Sequence, residues 1–337
     1  MAGAASRETF AWRHWRARTV LSALLLPLSG LYRVLLAARR GLLALGWLPH
    51  RRLPVPVIVV GNFTVGGTGK TPLTAWLVAA LAAAGHRPGI VSRGYGGSSR
   101  LPQAVGPESL AMVCGDEPVL LARESGCPVW VGRDRGAAAI ALLAANPEVD
   151  LIVLDDGLQH IALDRDVEIA VHDERGTGNG RLLPAGPLRE PPRPVDAIVC
   201  NAATCAPGEF AMRLAPRGLV DLASGRAVAL DDLVGLRLHA AAGIGNPARF
   251  FATLRELGLT FVEHAFPDHH AYARGDFDFE ACDAVLITAK DAVKSGVLAA
   301  ARGTRLIVLR VSAEVDPALA SLVIERVAGL LGGRRGA

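Results

Sequence analysis

The sequence predicts an α/β protein built on a mostly parallel sheet, with a nucleotide phosphate-binding (P-loop NTPase) core, and three observations carry that expectation. The apolar run Val55-Pro-Val-Ile-Val-Val60 breaks into a Gly-rich turn that ends in Gly69-Lys70-Thr71, and a helical pattern starts at once. Apolar runs then recur with helical stretches between them, at Gly89, Val129, Leu151, Val167 and Ala197, as in a sheet covered on both faces. Each run ends in polar residues, which places phosphate chemistry at the carboxyl ends of the strands.

The 337 residues, 51% hydrophobic but only 5% aromatic, suffice for two domains with a buried core. Residues 1–52 hold nine arginines against Glu8, a net +8, leaving −4 on the remaining 285. A basic, apolar N-terminus on an acidic body suits an anionic membrane surface rather than nucleic acid. The uncharged stretch Thr19–Tyr32 is short of the roughly 20 residues that span a bilayer. Leu21, Leu24, Leu25, Leu28, Leu31, Leu35 and Leu36 fall near one helical face, with Trp12, Trp15 and Trp47 at interfacial depth. Residues 1–50 are therefore read as an amphipathic helix lying in the membrane plane. The rivals are a helix packed on the core and a signal peptide, although no clear small-x-small cleavage site precedes the arginines.

Residues 51–205 form the nucleotide-binding core. In the loop Thr64-Val65-Gly66-Gly67-Thr68-Gly69-Lys70-Thr71, Thr64 replaces the usual first glycine and the Gly66-Gly67 doublet supplies the flexibility. Backbone N–H groups and the following helix N-terminus cradle phosphate, Lys70 reaches the β/γ-phosphates and Thr71 serves Mg²⁺. Leu73, Leu77 and Leu81 mark that helix, and Gly85 stops it. Asp155 and Asp156 follow Leu151–Leu154, where a carboxylate normally serves the Mg²⁺ shell, with Gln159 and His160 in the same turn; a turn cap is the alternative. Asp116 and Glu117 open a helix at Pro118, either as caps or as a base for a hydroxyl acceptor. Arg181 and Arg189, on a Gly/Pro-shaped loop, have the chemistry to grip an anion or simply to shape a turn.

Residues 206–235 read as a linker with one or two short strands, and residues 236–337 as a smaller α/β domain. There Asn246 caps a helix that Pro247 opens and Gly258 stops, and strand-like runs follow at Thr260–His264, Ala284–Thr288 and Leu306–Val311. Asp268, His269 and His270 sit on a loop between, without the compact spacing of a zinc site. The five cysteines, 114, 127, 200, 205 and 282, read as reduced thiols; Cys200-x₄-Cys205 is a weak metal signal without a finger-like partner nearby. Only 3 of the 36 basic residues are lysine, which reads as genome composition.

Taken in order, Gly61-Asn-Phe-Thr-Val-Gly-Gly-Thr-Gly-Lys-Thr71, Ser92-Arg-Gly-Tyr-Gly96, Gly115-Asp-Glu-Pro118, Gly132-Arg-Asp-Arg135, Leu154-Asp-Asp-Gly-Leu-Gln-His160, Leu183-Pro-Ala-Gly-Pro-Leu-Arg-Glu190, Gly243-Ile-Gly-Asn-Pro247, Phe266-Pro-Asp-His269 and Thr288-Ala-Lys-Asp-Ala-Val-Lys294 closely resemble the tetraacyldisaccharide 4′-kinase family. The resemblance runs from the N-terminal helix to about residue 311. It implies a kinase of lipid A biosynthesis, attached to the cytoplasmic face of a bacterial inner membrane; the chain itself is expected to be a monomer. ATP and Mg²⁺ would be used to phosphorylate the 4′-hydroxyl of an acylated glucosamine disaccharide 1-phosphate, giving lipid IVA. The same resemblance implies a phosphate loop over Thr64–Thr71, Mg²⁺-associated carboxylates at Asp155 and Asp156, and a base at Asp116 assisted by Asp268 and His269. Lys70 would act on the transferring phosphoryl, Glu117 would lie beside the metal, and His160, Arg181 and Arg189 on the acceptor side. Two positions depart: Leu158 stands where an aromatic is usual, and Ala289 replaces an acidic residue before Lys290, which puts nucleotide contact by that loop in doubt. The rival functions are a small-metabolite P-loop enzyme and a nucleotide switch whose membrane helix moves on hydrolysis.

Overall fold

The computed structural model describes residues 5–294, 297, 301 and 303–335. Three N-terminal helices, α1 (Ala5–Arg16), α2 (Val20–Leu24) and α3 (Leu26–Ala44), precede a first lobe. In chain order the lobe contains β1 (Val57–Gly61), α4 (Lys70–Ala83), β2 (Pro88–Ser92), β3 (Gln103–Val105), α5 (Ala111–Cys114), α6 (Asp116–Glu124), β4 (Val129–Val131), α7 (Arg135–Ala145), β5 (Leu151–Asp155), β6 (Val167–Asp173) and β7 (Ala197–Asn201). A bridging hairpin follows, β8 (Phe210–Asp221) with β9 (Ala227–Val228). The second lobe holds β10 (Leu238–Ala242), α8 (Pro247–Glu256), β11 (Phe261–Ala265), β12 (Ala284–Thr288), α9 (Ala289–Ala292) and β13 (Leu306–Val315), and α10 (Pro317–Arg335) closes the chain.

The strands form one sheet in the order β11-β10-β12-β13-β8-β7-β6-β1-β5-β2-β4-β3, with β9 on β8. β1 lies between β5 and β6, parallel to both, with Val60 opposite Asp155 and Gly61 opposite Ala170. The loops leaving β1, β5 and β6 therefore open at one end of the sheet, as a parallel α/β sheet requires of its ligand site. On one face Leu73, Leu77 and Leu81 of α4 pack with Ile58 and Val60; on the other, Leu142 of α7 packs with Val57 and Val59. Leu158, at the aromatic-to-leucine departure, is fully buried in that second cluster.

The segment 206–235, expected as a linker with one or two short strands, carries the longest strand of the molecule. β8 pairs parallel with β7 and antiparallel with β13, so it makes one sheet of the two lobes. Its Gly, Pro and Arg residues hide this length in the sequence; a bulge accommodates them, the register shifting between the Pro216–Val311 and Gly218–Arg310 pairs. α10 also departs from a simple C-terminal domain: its Leu319, Val323 and Val327 join Leu73, Leu77 and Leu81 in the first lobe's core. β10 lies at the centre of the second lobe although Leu-His-Ala-Ala-Ala carries no β-branched residue. α8 starts as expected, with Asn246 accepting from the Arg249 N–H.

The N-terminal helices dock by their polar face. Ser22 and Ser29 are buried; Ser29 Oγ donates to the Leu182 carbonyl and accepts from the Ala185 N–H, and the Tyr32 hydroxyl donates to the Arg189 carbonyl. Leu24, Leu28, Leu31, Val34 and Leu35 face outward, each more than half exposed. The expected leucine stripe is thus split: Leu21, Leu25 and Leu36 are half-buried, because α2 ends at Leu24 and Pro27 sets a new helical phase in α3. Of the three tryptophans only Trp47 is exposed. Trp12 is buried with the Arg175 guanidinium 4.5 Å over its ring, and Trp15 Nε1 donates to the Pro184 carbonyl. No helix among the described residues is long and apolar enough to cross a membrane. Cys200 and Cys205, expected as free thiols, are joined in a disulfide, while Cys114, Cys127 and Cys282 are free.

Candidate active site

The Gly-rich turn folds as its residue types require. Gly66 and Gly69 adopt positive φ, and a Cβ on Gly69 would lie 2.6 Å from Asn201 Nδ2, so position 69 is closed to other residues on both grounds. Thr64 bridges to Leu188 and the Val65 N–H donates to the Pro187 carbonyl, which fixes the start of the loop and removes the Val65 N–H from the cradle. Asn201 donates to the Thr68 carbonyl and Arg175 to the Gly67 carbonyl, turning those oxygens outward. Among the described residues, the N–H groups from Gly67 through Thr71 donate no backbone hydrogen bond. They sit at the N-terminus of α4, so this end of the loop is an anion site.

Lys70 is buried, with Nζ 3.7 Å from Asp156. Asp155 and Asp156 are adjacent yet behave oppositely. Asp155 is fully buried, and desolvation, reinforced by Glu117 and Asp156, pushes its carboxyl up to about 7. Asp156 also feels burial, but Lys70 and Arg189, whose Nη1 donates to both carboxylate oxygens at 2.8 and 2.9 Å, outweigh it and bring its carboxyl down to about 2. Asp156 holds this position at a φ of 55°, strain that the two cations offset. Thr74, one turn into α4, donates to Asp155 Oδ1 at 3.0 Å, a contact the sequence reading missed. Asp155 Oδ2 is buried without a hydrogen-bond partner among the described residues, as is Thr68 Oγ1. An orphaned carboxylate oxygen beside the phosphate loop fits a hard divalent cation.

Asp116 and His269 come from different lobes and meet. Asp116 is buried at the first position of α6; His269, at a φ of 58°, points Nδ1 to 3.0 Å from both of its oxygens. Burial pushes Asp116 up, but the His269 hydrogen bond and the Lys290 and Lys294 charges leave it below its ordinary value. Burial pushes His269 down, but the bond to Asp116 and the nearby carboxylates leave it above its ordinary value. Asp268 lies 3.7 Å from His269 Nε2, and the Tyr95 ring packs 4.9 Å from the imidazole. Lys290 Nζ bridges Glu117 at 2.9 Å and Asp268 at 3.2 Å across the lobes. Glu117 is therefore charge-paired rather than open, although its charge still reaches Asp155.

Of the chain's three lysines, 70 and 290 line this cleft and 294 is buried behind it on Asp291 and the Gly243 carbonyl; none is more than one-sixth exposed. Their scarcity marks positions where a compact point charge is retained while arginine serves elsewhere, a signal present in the sequence and passed over as composition. Ala289, the second departure, lines the cleft beside Lys290. Beside the phosphate loop the cleft offers apolar wall from Leu214, Ile244, Phe250 and Leu309.

The acceptor-side expectations divide. Arg189 joins the site through Asp156 and Gln159. His160 lies in a basic basin where burial and the Arg135 charge bring its imidazole down to about 4, so it is neutral. Arg181, expected to approach an anion, instead donates to Ser22 Oγ of α2 and binds the N-terminal helices to the body. A polar chain runs on from the site to those helices: Asp156, Arg189, Gln159, Glu190 and Arg40 of α3.

A sequence model of the tetraacyldisaccharide-1-P 4′-kinase family, LpxK, matches residues 21–328. The tetraacyldisaccharide 4′-kinase of Janthinobacterium sp. (strain Marseille) is 50% identical over 336 residues, covering 96% of each chain. That of Aromatoleum aromaticum is 52% identical over 298 residues, covering 85% of this chain and 89% of its own. Among solved structures, the "apo" form of LpxK from Aquifex aeolicus in complex with ATP aligns with a TM-score of 0.75 at 31% identity, covering 91% of this chain and all of that one. The chain belongs to the tetraacyldisaccharide 4′-kinase family.

Proposed function

We propose that this protein transfers the γ-phosphoryl of ATP to the 4′-hydroxyl of a tetraacyldisaccharide 1-phosphate at a membrane surface. The observation that carries the reading is the meeting of the buried Asp116 with His269 of the other lobe, the geometry of a carboxylate held ready to accept a hydroxyl proton, in a chain that also carries a phosphate loop. The N–H groups of Gly67–Thr71 and Lys70 bind and orient the polyphosphate. Asp116, kept ionised by His269, accepts the hydroxyl proton; His269 holds the carboxylate in place and spreads the charge. Phosphoryl transfer depends chiefly on positioning and charge neutralisation, so Asp116 does not need a near-neutral pKa. Bound Mg²⁺ supplies charge neutralisation on the phosphates, and Thr71 and Asp155 are the residues that would hold it, with Asp156 and Glu117 adjoining.

The outward Leu24, Leu28, Leu31, Val34 and Leu35 face of α2 and α3, flanked by arginines, suits the interface of an anionic cytoplasmic leaflet. It would bring the acyl chains of the substrate to the site, and the Arg40–Glu190 contact would tie that face to the acceptor side. Acceptor-dependence tests the reading: turnover should require the acylated disaccharide. A nucleotide switch would instead hydrolyse ATP without it, and a small-metabolite kinase would not need the exposed leucines.

A further inference from the structure

Beyond the residues that line the reaction cleft, the carboxyl ends of β6 and β7 and the loop after β7 bring a cysteine pair, an imidazole and a carboxylate together. His172 Nε2 lies 3.1 Å from Glu209 Oε1, and the ligand atoms of His172, Cys200 and Glu209 all fall within 4.8 Å of one another. Cys205 Sγ is bonded to Cys200 Sγ, at the edge of that three-residue cluster. The spacing Cys200-x₄-Cys205 lacked a partner in sequence; the neighbouring strand and the end of the loop supply two. Outer contacts orient both: Glu209 Oε2 accepts from the Ala206 N–H at 2.9 Å, and His172 Nδ1 faces the Asp173 carbonyl at 3.4 Å, which leaves Nε2 and Oε1 inward.

We propose that, when the Cys200–Cys205 disulfide is reduced, Cys200, Cys205, His172 and Glu209 form a four-ligand site for a divalent cation of zinc type. A dithiol reductant gives the disulfide two electrons and two protons and leaves as its own disulfide; cation binding then releases the two thiol protons. Two thiolates, an imidazole and a carboxylate suit Zn²⁺ rather than Mg²⁺. In tetrahedral coordination with bonds of about 2.0–2.3 Å, donor atoms sit roughly 3.3–3.8 Å apart, so His172, Cys200 and Glu209, now within 4.8 Å of one another, draw together while the reduced Cys205 Sγ swings off Cys200 to become the fourth ligand. The site adjoins the phosphate loop: the next residue, Asn201, donates to the Thr68 carbonyl, and its own carbonyl accepts from Arg249 of the second lobe.

The test uses the full chain in detergent, reduced with a dithiol that is then removed anaerobically, and titrated with Co²⁺. One equivalent should give thiolate-to-cobalt charge transfer and tetrahedral visible bands, which Zn²⁺ abolishes. Cys200→Ser/Cys205→Ser should give neither, and His172→Ala should bind about tenfold or more weakly. In the reduced wild-type chain, Zn²⁺ should shield Cys200 and Cys205 from alkylation while Cys127 and Cys282 react as before, a readout that no folding defect confounds. Absence of thiolate–cobalt bands in the wild type, their persistence in the double variant, or unchanged alkylation of Cys200 and Cys205 would each overturn the proposal.

Discussion

His269 Nδ1 stands 3.0 Å from both carboxylate oxygens of Asp116, and the two residues are 153 positions apart on different lobes. The contact joins the two lobes at the proposed base, and adds a hydrogen bond and a charge to those that Lys290 and Lys294 already bring to the buried Asp116. Asp116→Ala should lower kcat by roughly 10²–10⁴ with little change in ATP binding. His269→Ala should act in the same direction, and the double variant should lose less than the product of the single effects, since each residue is idle without the other. Multiplicative losses in a steady-state cycle would separate the two.

The same pair predicts a pH window for stability. His269 is raised, so its contribution is fully present below the ordinary histidine range and is lost as pH climbs through the raised value. Asp116 is lowered, so its contribution holds above the ordinary aspartate range and is lost as pH falls through the lowered value. Melting temperatures of wild type and His269→Gln should differ most between those limits and converge on the alkaline side. A difference that widens there would contradict the ion pair.

Lys290→Ala leaves Glu117 and Asp268 facing each other without their shared cation. The expected cost is on the order of 2 kcal/mol, below that of a fully buried pair because both carboxylates retain some solvent. Denaturant titration reads it, and Lys290→Arg should recover only part, since a planar fork does not replace a point charge between two carboxylates.

How far the sequence discloses this site depends on the range of the contacts. The phosphate loop, the paired aspartates and Asn246 as a cap are legible because each is a short pattern with a local physical cause. The role of Lys290 is not, because its partners lie 173 and 22 residues away and only the closed cleft defines it. Thr74 is missed for a similar reason: it serves Asp155 only through the packing of α4 on β5. The length of β8 and the return of α10 to the first lobe are tertiary facts that periodicity does not encode. The apolar character of the leucine face is legible in the sequence but its phase is not, since Pro27 divides it.

Because Ser22, Ser29 and Tyr32 hold the N-terminal helices to the body, deleting them would also strip the Leu182–Arg189 loop. Leu24, Leu28, Leu31 and Leu35, all changed to Ser, remove the exposed face alone. That variant should fold normally yet lose most flotation with anionic liposomes and most activity on vesicle-borne lipid, while keeping activity in detergent. Unchanged flotation would place the face against something other than lipid.

The central claim is acceptor-directed phosphoryl transfer from this cleft, and the most direct measurement is ³²P transfer from [γ-³²P]ATP to tetraacyldisaccharide 1-phosphate in detergent. The wild type should label the lipid at the 4′ position and turn over ATP only when the lipid is present. Lys70→Ala and Thr71→Ala should each lose most of the transfer, the first by removing charge on the phosphoryl and the second a Mg²⁺ ligand. ATP hydrolysis indifferent to the lipid, or full transfer by both variants, would contradict the account.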